Sequence, residues 1–594
     1  MHTSHLTLTD GKLDLYKVLE QLTSDGIVTK ENVQVLRAMD KDNQYRKQHP
    51  FLVITERGWK NHSHPDRLIT IDELTQWLSD VTGIATRRID PLVIDVHSVT
   101  SIMSFSYARN FNILPIEVSN DMIYVATAQP FQIFWQAEIE RICGKKIKLV
   151  LANPDDVTRY LVEFYSVSKS VTQAKYQSED EILGIQNLEQ LIEMGRTGSL
   201  DANDNHIVGI VDWLLQYAFE QRASDIHLEP RREQANVRFR IDGIMQQVYE
   251  IPAAVMTAVS SRIKILGRMD VSEKRRPQDG RIKTKTPNGQ EIELRLSTMP
   301  TAFGEKLVMR IFDPEVLQKN FESLGFGKQE HQLWQDMIKK PNGIILVTGP
   351  TGSGKTSTLY TTLRKLAKPE VNVCTVEDPI EMIEPLFNQM QVQQNIDLDF
   401  ATGVRTLMRQ DPDIIMVGEI RDKETAEMAV QASLTGHLVL STLHTNDTLS
   451  AIVRLQDIGV PAYLIHSSII GIMAQRLVRT LCPHCKEEVQ VEKEVWNGLV
   501  KPWKSELPKK VYQPVGCLEC RDTGYMGRIG LFEILPLSQE LKHLIGQTSD
   551  MELLRRQAVK EGYKPLRLNG AQKVAKGITT IEEVLRVSPA PIAY

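Results

Sequence analysis

An apolar run leads directly into a glycine-rich loop at Gly343-Ile-Ile-Leu-Val-Thr-Gly349-Pro-Thr-Gly-Ser-Gly-Lys355-Thr356. The second part matches G-x-x-x-x-G-K-[ST] in full, and a helix candidate, Ser357–Leu366, follows it. In such a loop, backbone N–H groups and the lysine hold phosphates, and the hydroxyl ligates Mg²⁺. The sequence therefore predicts a strand, a loop that binds ATP with Mg²⁺, and a helix. The predicted nucleotide contacts are Gly349, Pro350, Thr351, Gly352, Ser353, Gly354, Lys355, Thr356 and Ser357.

Further apolar strands follow this loop and alternate with helical segments. They are predicted near Val371–Val376, Ile414–Val417 and Leu438–Thr442. Alternation of this kind is typical of parallel sheets that carry helices on both faces. The predicted fold class is therefore α/β, with a RecA-like core around a parallel sheet.

Acidic and histidine side chains stand where these strands end. Glu419 follows the run Asp413-Ile-Ile-Met-Val-Gly418, which places a carboxylate beside the phosphate loop to hold the metal or orient a water. Glu377 belongs to the acidic cluster Thr375–Glu381, whose crowding favours a bound cation, with a solvated acidic turn as the alternative. The segment Gly436–Asn446 contains His444, which is placed to sense a γ-phosphate, and His437, for which a structural role stays open.

Four of the six cysteines form two C-x-x-C pairs. They are Cys482, Cys485, Cys517 and Cys520. Two such pairs separated by a medium-length loop are typical of a tetrahedral zinc site. Because four thiolates leave no open coordination position, the predicted Zn²⁺ is structural, with His484 as a minor alternative ligand.

Composition limits the classes of function. The chain has 594 residues and a net charge of −5, with 42% hydrophobic and 6% aromatic residues, so no nucleic-acid partner is expected. The amino terminus lacks the features of a signal peptide. The longest apolar run, Val460–Val478, is interrupted by polar residues and is predicted to be a buried or amphipathic helix rather than a membrane crossing.

The length predicts several domains. Residues 1–48 are expected to be helical, and 49–165 to form an α+β domain that docks a partner. A linker, 166–206, with a short helix near Ile182–Met194, leads to a second α+β domain at 207–315. The ATPase domain is expected at 316–594, with a zinc-binding insertion at 481–528 and a helical part at 529–594.

Together these motifs resemble the ATPases of type II secretion and type IV pilus assembly. The resemblance also rests on blocks outside the phosphate loop, namely Ser224–Pro230, Arg238–Gly243, Arg275–Arg281, Val376–Glu381 and Gly436–Asn446. The last two are similar to the family's Asp box and His box. Segments beginning at Lys12 and Asp25 resemble half of a cyclic-di-GMP-binding module but lack its Arg-Leu-Gly opening.

The resemblance implies roles for individual residues. Glu377 and Glu419 would share activation of the attacking water and the Mg²⁺ shell, and His444 would contact the γ-phosphate. The family's arginine fingers correspond best to Arg295 and Arg310. Secondary candidates for that role are Arg405, Arg409 and Arg421.

The resemblance also implies an assembly. It would be a homohexamer on the cytoplasmic face of the bacterial inner membrane, attached through a platform protein and a recruiting protein's cytoplasmic domain. There it would power assembly of pilin or pseudopilin fibres. A RecA-like motor that moves nucleic acid is the alternative, and it would require basic loops or stacking aromatics.

Overall fold

The computed structural model divides the chain into two compact units, Met1–Ile311 and Phe312–Tyr594. The structure describes residues 6, 11–40, 45, 48–62, 68–89, 94–175, 205–286, 289, 291–312, 319–503, 505–547 and 550–588. None of the helices in these ranges combines the length and apolar character that a bilayer crossing needs.

The first unit begins with four helices that share one apolar core. They are α1 (Leu15–Ser24), α2 (Lys30–Met39), α3 (Pro50–Glu56) and α4 (Ile71–Thr82). Side chains cap their first turns, as where Asp14 accepts from the N–H groups of Tyr16 and Lys17. The core runs from Leu6 to Leu78 and includes Leu151, so the predicted domain boundary at residue 48 lies inside it.

A small mixed sheet follows in the same unit. Its elements are α5 (Val96–Thr100), α6 (Phe105–Phe111), β1 (Ile113–Val118), β2 (Met122–Thr127), α7 (Gln136–Cys143), β3 (Lys146–Leu151) and α8 (Pro154–Lys175). β2 is central, antiparallel to β1 and parallel to β3. This part of the first unit therefore combines helices with a small sheet.

A six-stranded sheet completes the first unit. It is built from α9 (Asn205–Glu220), β4 (Ala223–Pro230), β5 (Gln234–Ile241), β6 (Ile244–Pro252), α10 (Ala253–Leu266), β7 (Gln278–Lys285), β8 (Glu291–Thr301) and β9 (Gly304–Phe312), with strand order β6-β5-β4-β9-β8-β7. Both α8 and α9 extend into the predicted linker, and the short helix predicted near Ile182–Met194 lies outside the described residues.

The second unit contains the predicted parallel sheet. Its first elements are α11 (Phe321–Leu324), α12 (Lys328–Ile338), β10 (Gly343–Thr348), α13 (Lys355–Leu366), β11 (Val373–Glu377), β12 (Asn388–Gln391), α14 (Phe400–Leu407), β13 (Ile414–Val417), α15 (Lys423–Leu434), β14 (Leu438–Leu443), α16 (Thr448–Asp457), α17 (Ala462–Ser468) and β15 (Ile469–Leu481). The strands from β10 to β15 are parallel, and apolar clusters pack on the sheet. The α/β prediction is confirmed.

The chain then leaves the sheet, returns and ends in helices. These elements are β16 (Glu487–Val489), α18 (Lys493–Val500), β17 (Val511–Gln513), β18 (Tyr525–Pro536), α19 (Gln539–Gln547), α20 (Met551–Lys560), α21 (Leu566–Ala575) and α22 (Ile581–Val587). β18 is antiparallel to β15 and completes the order β12-β11-β13-β14-β10-β15-β18. The range 529–594, predicted to be helical, therefore begins with strand residues.

One secondary-structure prediction is wrong for most of its length. The run Val460–Val478 was predicted to be a helix, but α17 ends at Ser468 and β15 continues to Leu481. β15 lies between β10 and β18 and is buried along most of its length. A strand covered on both faces loses the alternation that distinguishes it from a buried helix, which explains the error.

Candidate functional site

The phosphate loop connects β10 to α13 at the carboxyl edge of the parallel sheet. Gly349 has φ 151° and Gly354 has φ 85°, and a Cβ added at Gly349 would lie 2.5 Å from the carbonyl oxygen of Gln475. Both positions therefore favour glycine. The Nζ of Lys355 donates to the carbonyl oxygens of Gly349 at 2.8 Å and Pro350 at 3.2 Å. The lysine is thus folded over the loop.

The charge state of Lys355 depends on its burial and on two charged neighbours. Burial lowers the pKa of Lys355 to about 8, an effect that Glu419 opposes and Arg476 reinforces. A desolvated cation at the first residue of α13 favours an anionic ligand such as a phosphate.

Glu419 and His444 meet at this edge of the sheet. They follow β13 and β14, which are neighbours in the sheet, and Glu419 Oε2 lies 3.3 Å from His444 Nε2. The other oxygen of Glu419 accepts from Arg421, one of the secondary arginine candidates. Partial burial and the charge of Lys355 lower the pKa of His444, while Glu419 opposes the shift. The structure thus brings a cation, an acid and a histidine together around the loop.

Glu377 ends β11 in a more enclosed setting. Its side chain is buried, and it accepts hydrogen bonds from the Tyr360 hydroxyl at 2.7 Å, the Thr375 hydroxyl at 2.6 Å and the Gln389 amide at 3.2 Å. Burial and the Glu377 charge raise the pKa of Tyr360, which keeps its hydroxyl protonated as a donor. Tyr360 and Gln389 were not predicted, since neither belongs to a recognisable motif.

Sequence reasoning also missed the residues beneath the loop. Gln475 accepts from the Thr358 hydroxyl at 2.8 Å, and Arg476 donates to the Asn446 carbonyl oxygen at 2.8 Å. Both belong to β15, in the run that was predicted to be helical. Polar residues inside an otherwise apolar buried strand were the available signal.

His437 has a structural contact in this unit. Its Nδ1 lies 2.8 Å from the carbonyl oxygen of Ala432, at the start of β14 rather than at its carboxyl end. The structural alternative for His437 is therefore supported. Of the other secondary arginine candidates, Arg409 donates to the Arg405 carbonyl oxygen at 3.0 Å, near the end of α14.

The predicted arginine fingers belong to the first unit. Arg310 on β9 pairs with Asp225 of β4 at 3.0 Å, and Arg295 on β8 lies 3.7 Å from Glu293. Arg281 stands directly opposite Arg295 in the register of β7 and β8.

The four paired cysteines converge. Their sulfur atoms lie within 4.8 Å of one another, with separations of 3.8 Å for Cys482–Cys517, 3.8 Å for Cys485–Cys520 and 3.7 Å for Cys517–Cys520. A zinc–sulfur bond of about 2.3 Å places tetrahedral sulfur atoms about 3.8 Å apart. Backbone N–H groups of Gly516 and Gly524 point at these sulfurs. The cluster fits Zn²⁺, and His484 is not part of it.

Comparison with known sequences places this chain in a family. The family described as "Type II/IV secretion system protein" matches residues 201–586. The chain belongs to this family of secretion and pilus assembly ATPases. A second match, to the MshEN domain, covers residues 82–171, so the segments at Lys12 and Asp25 lie outside it.

Three relatives illustrate the similarity. The type IV pilus assembly ATPase TfpB of Acinetobacter baylyi is 51% identical, over 97% of this chain and 99% of that protein. PilB of Myxococcus xanthus is 38% identical, over 86% and 90% of the two chains. The type II secretion system protein E of Pseudomonas aeruginosa is 40% identical, over 82% and 96%. Among solved structures, the pilus retraction motor PilT with bound ADP is 24% identical with a TM-score of 0.46, covering 64% of this chain and 95% of that one.

Proposed function

We propose that the chain hydrolyses ATP to ADP and phosphate at the loop Gly349–Thr356. The observation that supports this most directly is the grouping of Lys355, Glu419 and His444 at one edge of the parallel sheet. Lys355 would neutralise the phosphates and Thr356 would ligate Mg²⁺. Glu419 and Glu377 would share the metal shell and the attacking water, and His444 would contact the γ-phosphate.

We further propose that six chains form a ring. Arg295 and Arg310 would then reach a phosphate bound by a P-loop domain, supplying positive charge as the γ-phosphoryl group is transferred. Turnover per chain should rise with protein concentration as rings form, and sedimentation should show six subunits. Dilute monomers that work as fast as concentrated protein would contradict the ring.

The process that this motor would drive is type IV pilus assembly. The 51% identity to TfpB over 97% of this chain supports it. Type II secretion is the second candidate, because the chain is 40% identical to a type II secretion system protein E over 82% of its length. In either system the ring would lie on the cytoplasmic face of the inner membrane, held by a platform protein and a recruiting protein, with structural Zn²⁺ at the four cysteines.

Complementation distinguishes the two systems. The chain is expressed in Acinetobacter baylyi lacking TfpB, and in Pseudomonas aeruginosa lacking its type II secretion protein E. We expect pili in the first strain and no secretion in the second. Lys355→Ala should fail to restore pili. Lys365→Ala, at an exposed position of the same helix, should still restore them. Restored secretion without restored pili would overturn the pilus assignment.

A further inference from the structure

The loop that carries His444 is held from three sides. It connects β14 to α16, and the hydroxyl groups of Thr445 and Thr348 lie 2.7 Å apart. Arg476 donates to the carbonyl oxygen of Asn446 at 2.8 Å. At its far end, Thr448 begins α16 and donates to Glu533. The first two contacts come from strands next to the phosphate loop, but Glu533 belongs to β18, at the edge of the sheet.

Glu533 is almost fully buried and is surrounded by donors. Its Oε1 accepts from the backbone N–H of Thr448 at 2.9 Å and from the Thr448 hydroxyl at 2.8 Å. Its Oε2 accepts from the backbone N–H of Leu566, the first residue of α21, at 3.2 Å. The Tyr563 hydroxyl is also hydrogen-bonded to this carboxylate. Burial raises the pKa of Glu533, and the hydrogen bonds from Thr448 and Tyr563 oppose that shift, because they favour the ionised form, which only accepts.

Glu533 is placed to hold the end of the loop that carries His444. The first N–H groups of a helix have no partner within the helix, and a negative charge near them is stabilised by the helix dipole. Asp447 already caps α16 by accepting from Ser450 at 2.7 Å. Glu533 adds a second carboxylate that holds the first residue of α16, and that residue follows His444 by one short loop.

We propose that Glu533 is a positioning residue for ATP turnover. By holding Thr448 it sets the place of His444 beside Glu419, and through Leu566 and Tyr563 it ties that loop to the C-terminal helices. The inference rests on the proposed ATPase function. It implies that a change in the position of α21 alters turnover at the phosphate loop without any contact between α21 and the nucleotide.

The test begins with Glu533→Gln. Glutamine keeps the size of the side chain but turns an NH₂ donor toward groups that are themselves donors. We expect kcat to fall about tenfold with KM for ATP within about twofold, the pattern for an interaction that acts on the transition state rather than on ATP binding. Glu583→Gln is the matched control: Glu583 is equally buried and accepts from the backbone and side chain of Arg479, but not from the His444 loop. It should lower the melting temperature while leaving kcat within about twofold.

A double-mutant cycle asks whether Glu533 acts through His444. In the His444→Ala background, Glu533→Gln should change kcat by less than about twofold, measured with radiolabelled ATP so that slow rates are resolved. If Glu533→Gln does not fold, Thr448→Val removes one of the donors at the same volume and should lower kcat in the same His444-dependent way. An unchanged kcat, or the same loss with and without His444, would overturn the proposal. A wild-type protein without turnover would instead overturn the proposed function.

Discussion

The cysteine cluster and the nucleotide site are built in opposite ways. The four cysteines lie in two short segments, and two residues separate the cysteines within each pair, so local spacing sets part of the geometry. The nucleotide site gathers side chains from the ends of β10, β11, β13 and β14, which only the sheet brings together. The first site would be stabilised by the ion that it fits, whereas the second is shaped by a buried core.

Because of this difference, mutations at the two sites should have different consequences. Loss of a thiolate should release the metal and loosen a local segment, because a small metal site is stabilised by the metal itself. Loss of a side chain at the sheet edge should leave the fold intact, because the core beneath it is unchanged, and should act on turnover. The following predictions test that separation.

Apart from the loss of Lys355, the largest effect is expected at Arg295. Arg295→Ala should lower turnover by roughly 10³-fold, the lower end of the range for an arginine finger, with ATP affinity nearly unchanged. Arg310→Ala should also lower turnover, and should lower stability as well because it leaves the buried Asp225 with one fewer partner. Steady-state kinetics and thermal melting separate the two effects. Arg232→Ala, at an exposed turn, is the control, and wild-type turnover in Arg295→Ala would remove that residue from the mechanism.

The next effect is expected at Glu419. Glu419→Gln should lower turnover by roughly 10²–10³-fold, comparable to the loss of one preorganised transition-state contact. A fluorescent nucleotide should still bind, because Lys355 is retained. Glu427→Gln alters an exposed glutamate that lies near Lys423 at 3.6 Å on α15, and should keep full turnover. If both variants are equally active, Glu419 has no role in the reaction.

A structural effect is expected at Cys517. Cys517→Ser should reduce the zinc content from one per chain and expose the segment around residues 482–524 to proteolysis, because three thiolates hold the ion poorly. Metal analysis and limited proteolysis measure this. Cys143→Ser, outside the cluster, should change neither. Zinc-free wild-type protein with four reactive thiols would contradict the metal site.

The smallest predicted effect is the uptake of a proton by Lys355 when a nucleotide binds. Since the pKa of Lys355 is lowered to about 8, part of this lysine is neutral at pH 8.5, and phosphate binding should restore its charge. Calorimetry in buffers of different ionisation enthalpy should show proton uptake at pH 8.5 and little at pH 6.5, where the lysine is already charged. The same uptake at pH 6.5 as at pH 8.5 would assign the proton to a group other than Lys355.

The contrast between local spacing and long-range packing explains which parts of the site could be predicted from the sequence. The phosphate loop, Glu419, His444 and the cysteines stand in patterns whose chemistry dictates their spacing. Tyr360, Gln389 and Arg476 reach the site only because helix packing and strand order place them there. β15 was mistaken for a helix because burial on both faces removes its periodicity. Features that depend on long-range packing could not be predicted from local sequence.

The proposed activity is the hydrolysis of ATP at the loop around Lys355. Phosphate release from ATP and Mg²⁺ is measured for the wild type, Lys355→Ala and Lys365→Ala at equal concentrations. We expect steady release by the wild type and Lys365→Ala and none above background for Lys355→Ala, with all three melting at similar temperatures. Equal release by all three proteins would contradict the assignment of the reaction to this site.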